Sequence, residues 1–178
     1  MASYTKGEFT YGNPAVHGLG YGNLKIGKFC SIAGGTNIIL SGHRTDLFST
    51  YPFGHSAETK DCFKNPELTV MGDVTIGNDV WTGENSIIIY GSMIGDGCVV
   101  AAGAVVKGRF KPYSLIAGNP AQNLFFRFDT KTIELLLKMK WWDWPYQIIR
   151  EHIDVITSKD YNKLLNLYEQ LKDKLNLL

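Results

Sequence analysis

Residues branched at Cβ, nearly all of them aliphatic, recur at every sixth position through the middle of the chain. These anchors are β-branched: Val70, Ile76, Thr82, Ile88, Ile94, Val100 and Val106. A small or medium-sized residue stands four places after each anchor but the last: Val74, Val80, Ser86, Ser92, Cys98 and Ala104. Neither an α-helix nor an alternating strand has a period of six, whereas a β-helix solenoid does. The pattern therefore predicts short strands joined by tight corners, with each anchor and its small partner facing the interior.

A shorter run with the same period precedes this stretch. Its anchors are Ile26, Ile32 and Ile38, and its small partners are Cys30 and Thr36. The phase then breaks, because Ile38 and Val70 are 32 residues apart. The intervening insert, residues 42–68, is rich in turn formers and aromatics, and a long insert in a compact domain is usually functional. Residues 1–22 have no clear period and are expected to cover the open end of the solenoid.

The pattern changes to a helical one near residue 129. Asp129 is a candidate N-cap for a helix reaching Lys140, with apolar positions at Ile133, Leu136 and Leu137. A second helix is expected from Pro145 to Ile156. A third should start near Asp160 and carry an apolar stripe, formed by Leu164, Leu165, Tyr168, Leu171 and Leu175. We therefore expect a β-solenoid domain over residues 1–128 and a helical extension over 129–178.

Composition and charge exclude several classes. The 178-residue chain is 44% hydrophobic and 20% charged, with a net charge of +1, which is typical of a globular protein and gives no indication of nucleic-acid binding. The sequence has no apolar run long enough to cross a membrane and no signal-peptide layout. Three cysteines without short spacing argue against a disulfide framework and a zinc site. We therefore expect a cytoplasmic location.

Two sets of motifs carry a family resemblance. The segment VTIGNDVWTGENSIIIYGSMIGDGCVVAAGAVV resembles the hexapeptide-repeat acyltransferases, which implies a mainly β fold, a left-handed parallel β-helix; the handedness comes from the resemblance. The segments GHRTDLFSTYPFG and WWDWP resemble the xenobiotic acetyltransferase branch, which includes chloramphenicol and streptogramin acetyltransferases and has relatives that acetylate sugars.

The resemblance implies a catalytic base. Carried over to this sequence, it is His43, in a reaction that transfers acetyl from acetyl-CoA to a hydroxyl or amino group. A histidine changes charge near neutral pH and can accept the proton of the attacking hydroxyl. No cysteine is a convincing nucleophile, so direct transfer is expected rather than an acyl-enzyme. No metal is expected.

The resemblance also implies a coenzyme A groove between neighbouring subunits of a homotrimer. The matching positions are Trp81, Glu84, Ala102, Lys107 and Arg127. Relatives follow the motif NPA with several basic residues, whereas this chain has QNLFFRF, in which Gln122, Phe125 and Phe126 replace expected cations. Lys107 and Arg109 could compensate for them electrostatically.

The acceptor is expected beside His43, where Asp46, Tyr51 and Phe53 are candidates by proximity. Aromatic faces and hydroxyls suit a sugar and suit an aromatic antibiotic equally. A sugar or nucleotide-linked sugar is favoured, because the chain is shorter than typical resistance enzymes and its insert is modest. An antibiotic acceptor remains the alternative.

The sequence argues against two other functions. A β-helical carbonic anhydrase needs several histidines on its repeats, and residues 70–110 contain none. A non-catalytic or ice-binding solenoid predicts uninterrupted coils with a regular row of threonines. The phase break and the absence of such a row argue against it.

Overall fold

The computed structural model describes residues 3–54, 57–62 and 69–175. The chain divides into two compact units, Met1–Phe125 and Phe126–Leu178. The rest of the insert, including Phe63, lies outside the described residues.

The first unit is a prism with three sheet faces. The first face contains β1 (Tyr4–Lys6), β3 (Leu24–Ile26), β8 (Val74–Ile76), β11 (Met93–Ile94) and β14 (Arg109–Phe110). The second contains β4 (Ser31–Ile32), β9 (Trp81–Thr82), β12 (Val99–Val100), β15 (Ser114–Gly118) and β16 (Ala121–Phe126). The third contains β2 (Ala15–His17), β5 (Asn37–Ile39), β10 (Ile87–Ile89) and β13 (Val105–Val106).

Each complete coil between β3 and β13 contributes one strand to each face, and the coils stack in parallel register. On the third face Val16 pairs with Ile38, Ile38 with Ile88, and Ile88 with Val106. The predicted anchors from Ile76 to Val106 and their small partners from Val74 to Ala104 are buried. The sixfold period therefore corresponds to the strand-and-corner repeat, as predicted.

The corners are turned by left-handed backbone. We call the turn between the first and second faces the first corner, that between the second and third faces the second corner, and that between the third and first faces the third corner. Positive φ recurs at the first corner, at Phe29, Asp79, Gly97 and Tyr113. Backbone bonds link successive coils there, for example from the Gly97 amide to the Asn78 carbonyl at 2.8 Å.

The insert leaves the prism at the third corner as an antiparallel hairpin. Strand β6 (Ser41–His43) pairs with β7 (Thr69–Met71), with Gly42 opposite Val70 and His43 opposite Thr69. Val70 was predicted to be a prism anchor, and this was wrong, because it belongs to the hairpin and the repeat resumes at Val74. A short 3-10 helix, Lys60–Cys62, lies within the insert.

The N-terminal segment forms a coil of its own. Strand β1 pairs with β3, Tyr11 bridges to Ser31, and β2 pairs with β5. The predicted cap is thus a prism coil whose outer edge is exposed, which explains why its sequence shows no buried period.

The second unit contains α1 (Thr130–Met139), α2 (Tyr146–Glu151), α3 (Ile153–Ile156) and α4 (Tyr161–Leu171). Asp129 caps α1 by accepting from the Thr132 amide, as predicted. The expected second helix is instead broken at His152. The predicted faces were wrong in part, because α1 buries Leu135 and Met139, and α4 buries Leu167 beside Leu164 and Leu171. Within the described ranges, no helix combines the length and hydrophobicity that a membrane crossing requires.

Candidate functional site

The candidate base, His43, ends strand β6 and is exposed to solvent. Its Nδ1 lies 2.9 Å from the backbone carbonyl oxygen of Thr50, in the same insert. A carbonyl oxygen can only accept, so this bond requires the proton to be on Nδ1. In the neutral ring Nε2 then carries the lone pair. The insert therefore presents an imidazole that can accept a proton at Nε2.

The base of the hairpin rests on an aromatic ring from the next coil. A Cβ added to Gly42 would lie 3.3 Å from Cε1 of Tyr90 and 3.6 Å from its hydroxyl oxygen. Just after the other strand, a Cβ added to Gly72 would lie 3.6 Å from Tyr90 Cβ. The side chain of Tyr90 thus begins beside Gly72, and its ring lies against Gly42. Sequence reasoning missed this residue, because nothing in its local pattern distinguishes it from any other corner residue.

Asp46, a predicted acceptor residue, is engaged within the insert. Arg44 donates from Nε to its Oδ1 at 2.9 Å and also pairs with its other carboxylate oxygen. The Arg44 hydrogen bond lowers the pKa of the exposed Asp46 carboxyl to about 2. Asp46 therefore stays ionised at neutral pH, with its charge matched by a neighbour two residues away.

The two predicted aromatic contacts lie together. Tyr51 and Phe53 meet edge to face, with ring centroids 4.8 Å apart, a favourable geometry for aromatic pairs. Both rings remain substantially exposed, as do Leu47 and Phe48. The insert that carries His43 therefore displays an apolar and aromatic surface.

Three of the predicted coenzyme positions lie on the second face or at the second corner. Trp81 points outward from β9 with 54% of its surface exposed, in register with Ser31 and Val99. Glu84 and Ala102 are exposed in the turns that follow β9 and β12. Those turns are stacked, since the Gly103 amide donates to the Glu84 carbonyl at 2.8 Å. An exposed indole beside stacked backbone turns could hold an extended, partly apolar ligand such as the pantetheine arm of coenzyme A.

The two predicted cationic positions lie elsewhere. The Lys107 ammonium sits 4.8 Å above the centroid of the Tyr90 ring, at the third corner. Arg127, in the second unit, lies 5.1 Å from the ring centroid of Phe128. Lys107 therefore belongs with the His43 hairpin, and not with Trp81.

The buried cysteines are poor nucleophiles. Desolvation raises the pKa of the Cys98 thiol to about 11, and it also raises the pKa of the Cys30 thiol. Their Sγ atoms donate to the carbonyls of Lys111 and Gly77, each at 3.1 Å. Thiols held in this way lack the thiolate character that acyl transfer needs.

The described residues contain no group of three or more His, Cys, Asp or Glu side chains that could hold a metal ion.

Within one chain the structure places His43, the insert residues and Lys107 at the third corner. It places Trp81 on the second face, and Glu84 and Ala102 at the second corner.

Comparisons with known proteins agree with this architecture. The family described as Bacterial transferase hexapeptide (six repeats) matches residues 69–108. A probable macrolide acetyltransferase of Lysinibacillus sphaericus is 40% identical over 86% of this chain and 87% of that protein. A chloramphenicol acetyltransferase of Agrobacterium fabrum is 41% identical over 78% of this chain and 68% of that protein. The solved structure of a hexapeptide-repeat acetyltransferase from Vibrio cholerae superposes with a TM-score of 0.56 at 28% identity, covering 71% of this chain and 64% of that one.

Proposed function

Because this chain belongs to the hexapeptide-repeat acyltransferases, in the branch that includes chloramphenicol and streptogramin acetyltransferases, we propose that His43 is the base that accepts the proton of the acceptor. The prism is the left-handed parallel β-helix of that family, and the enzyme is an acetyl-CoA-dependent acetyltransferase that needs no metal. Acetyl-CoA supplies the thioester carbonyl carbon that the acceptor attacks.

The bond between His43 Nδ1 and the Thr50 carbonyl carries this proposal. It fixes the proton on Nδ1 and leaves Nε2 to take the proton of the acceptor hydroxyl as that oxygen attacks. The imidazolium formed keeps its bond to Thr50, so the ring stays oriented while Nε2 returns the proton to the leaving sulfur. Neither buried cysteine competes as a nucleophile, which supports direct transfer.

For the acceptor, we propose a hydroxyl of an amphipathic molecule of the antibiotic type. The similarity to a probable macrolide acetyltransferase and to a chloramphenicol acetyltransferase supports this class. The exposed aromatic surface around Tyr51 and Phe53 also suits an acceptor with an apolar face. A sugar, which the sequence favoured, is the second candidate, since aromatic rings also stack on the apolar face of a sugar ring.

We further propose a homotrimer in which the third faces surround the threefold axis. The third face is bounded by the second corner, with Trp81 nearby, and by the third corner, with His43. Placing this face toward the axis would bring the third corner of one copy next to the second corner of another. A groove between copies would then join the coenzyme positions to the base, which a single chain keeps apart. A cytoplasmic location belongs to the same proposal, since acetyl-CoA is available there.

Replacement of His43 tests the catalytic role. In His43→Ala, kcat/KM measured by thiol release should fall by about 10²- to 10⁴-fold, the usual contribution of a general base. His152→Asn, in the second unit, is the matched control and should retain wild-type kcat/KM. A folded His43→Ala enzyme with unchanged kcat/KM would remove His43 from the mechanism.

Acceptor panels decide between the two substrate classes. The wild-type enzyme should release thiol with chloramphenicol, a macrolide or a group A streptogramin, with product mass increased by one acetyl group. Galactosides and amino sugars form the second panel. Turnover confined to the sugar panel would reverse the order of the two candidates and leave the role of His43 intact.

A further inference from the structure

Tyr90 joins the His43 hairpin, formed by β6 and β7, to the prism, although it lies 47 positions after His43 in the sequence. Its side chain begins beside Gly72, where the second hairpin strand rejoins the prism, and its ring reaches Gly42, next to the base. Lys107, one coil further along, places its ammonium 4.8 Å from the ring centroid. The third corner is therefore a stack of hairpin, aromatic ring and cation.

The stack lies on the face of the hairpin opposite the imidazole. Successive side chains of a strand point to opposite faces, so Gly42 faces the ring of Tyr90 while His43 points away from it. Because Gly42 has no side chain, the strand can lie directly on the ring. An isolated two-stranded hairpin is marginally stable in water, and the ring supplies the packing surface that this one needs.

We propose that Tyr90, held by Lys107, is a positioning residue that fixes the hairpin and thereby the orientation of His43. This inference rests on the proposed function of His43. Tyr90 itself contacts no reacting atom in this proposal. Its role is to keep the imidazole at one place on the prism, since small displacements of a catalytic group can reduce turnover by about 10²-fold.

The resemblance implies that Lys107 binds coenzyme A, whereas its position over the ring of Tyr90 suits a role in holding that ring. A cation over an aromatic face is attracted by the ring, and the contact limits the movement of the ring away from Gly42. In this proposal Lys107 affects turnover through Tyr90. Binding of a coenzyme phosphate by Lys107 would instead change the KM for acetyl-CoA.

The kinetic test compares ring removal with ring retention. Tyr90→Leu should lower kcat by about 10- to 100-fold with less than about a twofold change in the KM for acetyl-CoA. Tyr90→Phe keeps the ring and should stay within about twofold of wild-type kcat. Tyr4→Leu, a tyrosine change at the N-terminal edge of the first face, is the control and should leave kcat unchanged.

A double-mutant cycle tests the link to Lys107. Lys107→Met alone should lower kcat, and in the Tyr90→Leu background it should cause no further loss, since the ring it acts on is gone. Additive losses, or a selective rise in the KM for acetyl-CoA, would overturn the assignment of Lys107 to the ring.

A spectroscopic measurement separates this inference from the function on which it rests. Nitrogen NMR of labelled histidine at a pH where the ring is neutral should show His43 protonated at Nδ1 in the wild type and Tyr90→Phe. Tyr90→Leu should show a mixture of tautomers, and faster amide exchange in residues 41–43. Unchanged tautomer and kcat in a folded Tyr90→Leu protein refute the positioning role even if His43→Ala is inactive. An active His43→Ala enzyme refutes the proposed function while the tautomer readout still tests the contact.

Discussion

At the scale of single residues, the interior of the prism contains one connected set of hydroxyls. Thr82 occupies an anchor position, faces inward and is fully buried. Its Oγ1 lies 3.1 Å from Thr36 Oγ1. Thr36 also donates to the Ala33 carbonyl at 2.9 Å and approaches Ser86 Oγ at 3.4 Å. The network satisfies the hydroxyl of Thr82, because a buried hydroxyl in a largely aliphatic interior needs a hydrogen-bond partner.

This network predicts an asymmetry between two similar substitutions. Thr36→Val removes the central partner and leaves Thr82 and the Ala33 carbonyl with fewer bonds, so it should reduce the free energy of unfolding by about 1–3 kcal/mol. Thr82→Val removes a hydroxyl at the end of the network, where Ile32 and Val100 are the neighbours on adjacent strands. This change should reduce the free energy of unfolding by less than about 1 kcal/mol. Urea unfolding midpoints measure both. Equal losses would show that Thr36 is not the centre of the network.

The Arg44–Asp46 pair predicts a specific titration. The pKa of Asp46 is lowered to about 2 from 3.8, so the folded state binds this proton less tightly than the unfolded state. The stabilisation is present above pH of about 4 and is lost as the pH falls toward about 2. Carbon NMR of the Asp46 carboxyl should give a midpoint near 2, and Arg44→Gln should raise it toward 3.8. An unchanged midpoint in Arg44→Gln would contradict the assigned cause.

The same pKa has a consequence for the pH profile of the enzyme. Asp46 stays ionised over the whole range in which a histidine changes charge. The pH dependence of kcat/KM between about pH 5 and 8 should therefore be the same in Arg44→Gln as in the wild type.

The sequence predicts the role of His43 but not the residues that contact its hairpin and its ring. The motif around His43 marks the position, because the resemblance covers contiguous residues. Thr50 contributes a backbone carbonyl, which leaves no trace in residue type. Tyr90 meets Gly42 through the stacking of coils, a contact that appears only when the insert is known to leave the prism at the third corner.

At the scale of elements, the corners test how the repeat is built. Gly97 and Gly103 both have φ of +67°, a conformation that costs a side-chain-bearing residue about 1–2 kcal/mol. Their surroundings differ, because a Cβ at Gly97 would lie 2.2 Å from Cε1 of the buried Tyr113, whereas one at Gly103 would meet nothing within 4 Å. This pair separates backbone strain from crowding.

We expect Gly103→Ala to lower the free energy of unfolding by about 1–2 kcal/mol. Gly97→Ala should cost about 1–3 kcal/mol more, because it adds overpacking to the same strain. Denaturant titration followed by circular dichroism measures the difference. If both variants lose the same amount, the Tyr113 ring yields without cost and the first corner is looser than its contacts indicate.

Elements were predictable where one periodicity governs them. The sixfold pattern gave the correct inward positions from Ile76 to Val106, because residues in this stretch pair with the residue 18 positions later, as Ile88 does with Val106. The hairpin broke that rule, and Val70 matched the period by coincidence. In the helices, a single apolar stripe could not distinguish the buried Leu135 and Met139 from neighbouring apolar residues, since α1 carries apolar side chains on more than one side.

At the scale of the whole molecule, the outward rows of the first and third faces differ in chemistry. The first face displays Thr5, Lys25, Thr75, Met93 and Arg109 along its ladder. The third face instead displays Ile39, Ile87, Ile89 and Val105, beside Asn37 and His17. A mixed charged row suits solvent, whereas an aliphatic row suits burial against another subunit. This contrast favours the third face as the one directed at the threefold axis.

A matched pair of substitutions tests that arrangement. Ile87→Asp places a charge in the middle of the third face and should convert the proposed trimer to monomers in sedimentation velocity. Acetyl transfer should be lost with it, because the proposed coenzyme positions of one copy would no longer meet the His43 corner of another. Thr75→Asp places the same charge on the outward row of the first face and should leave both sedimentation and turnover unchanged. A wild-type protein that sediments as a monomer and still transfers acetyl groups would show that one chain assembles the whole site. It would contradict the proposal that the second corner of one copy and the third corner of another must meet.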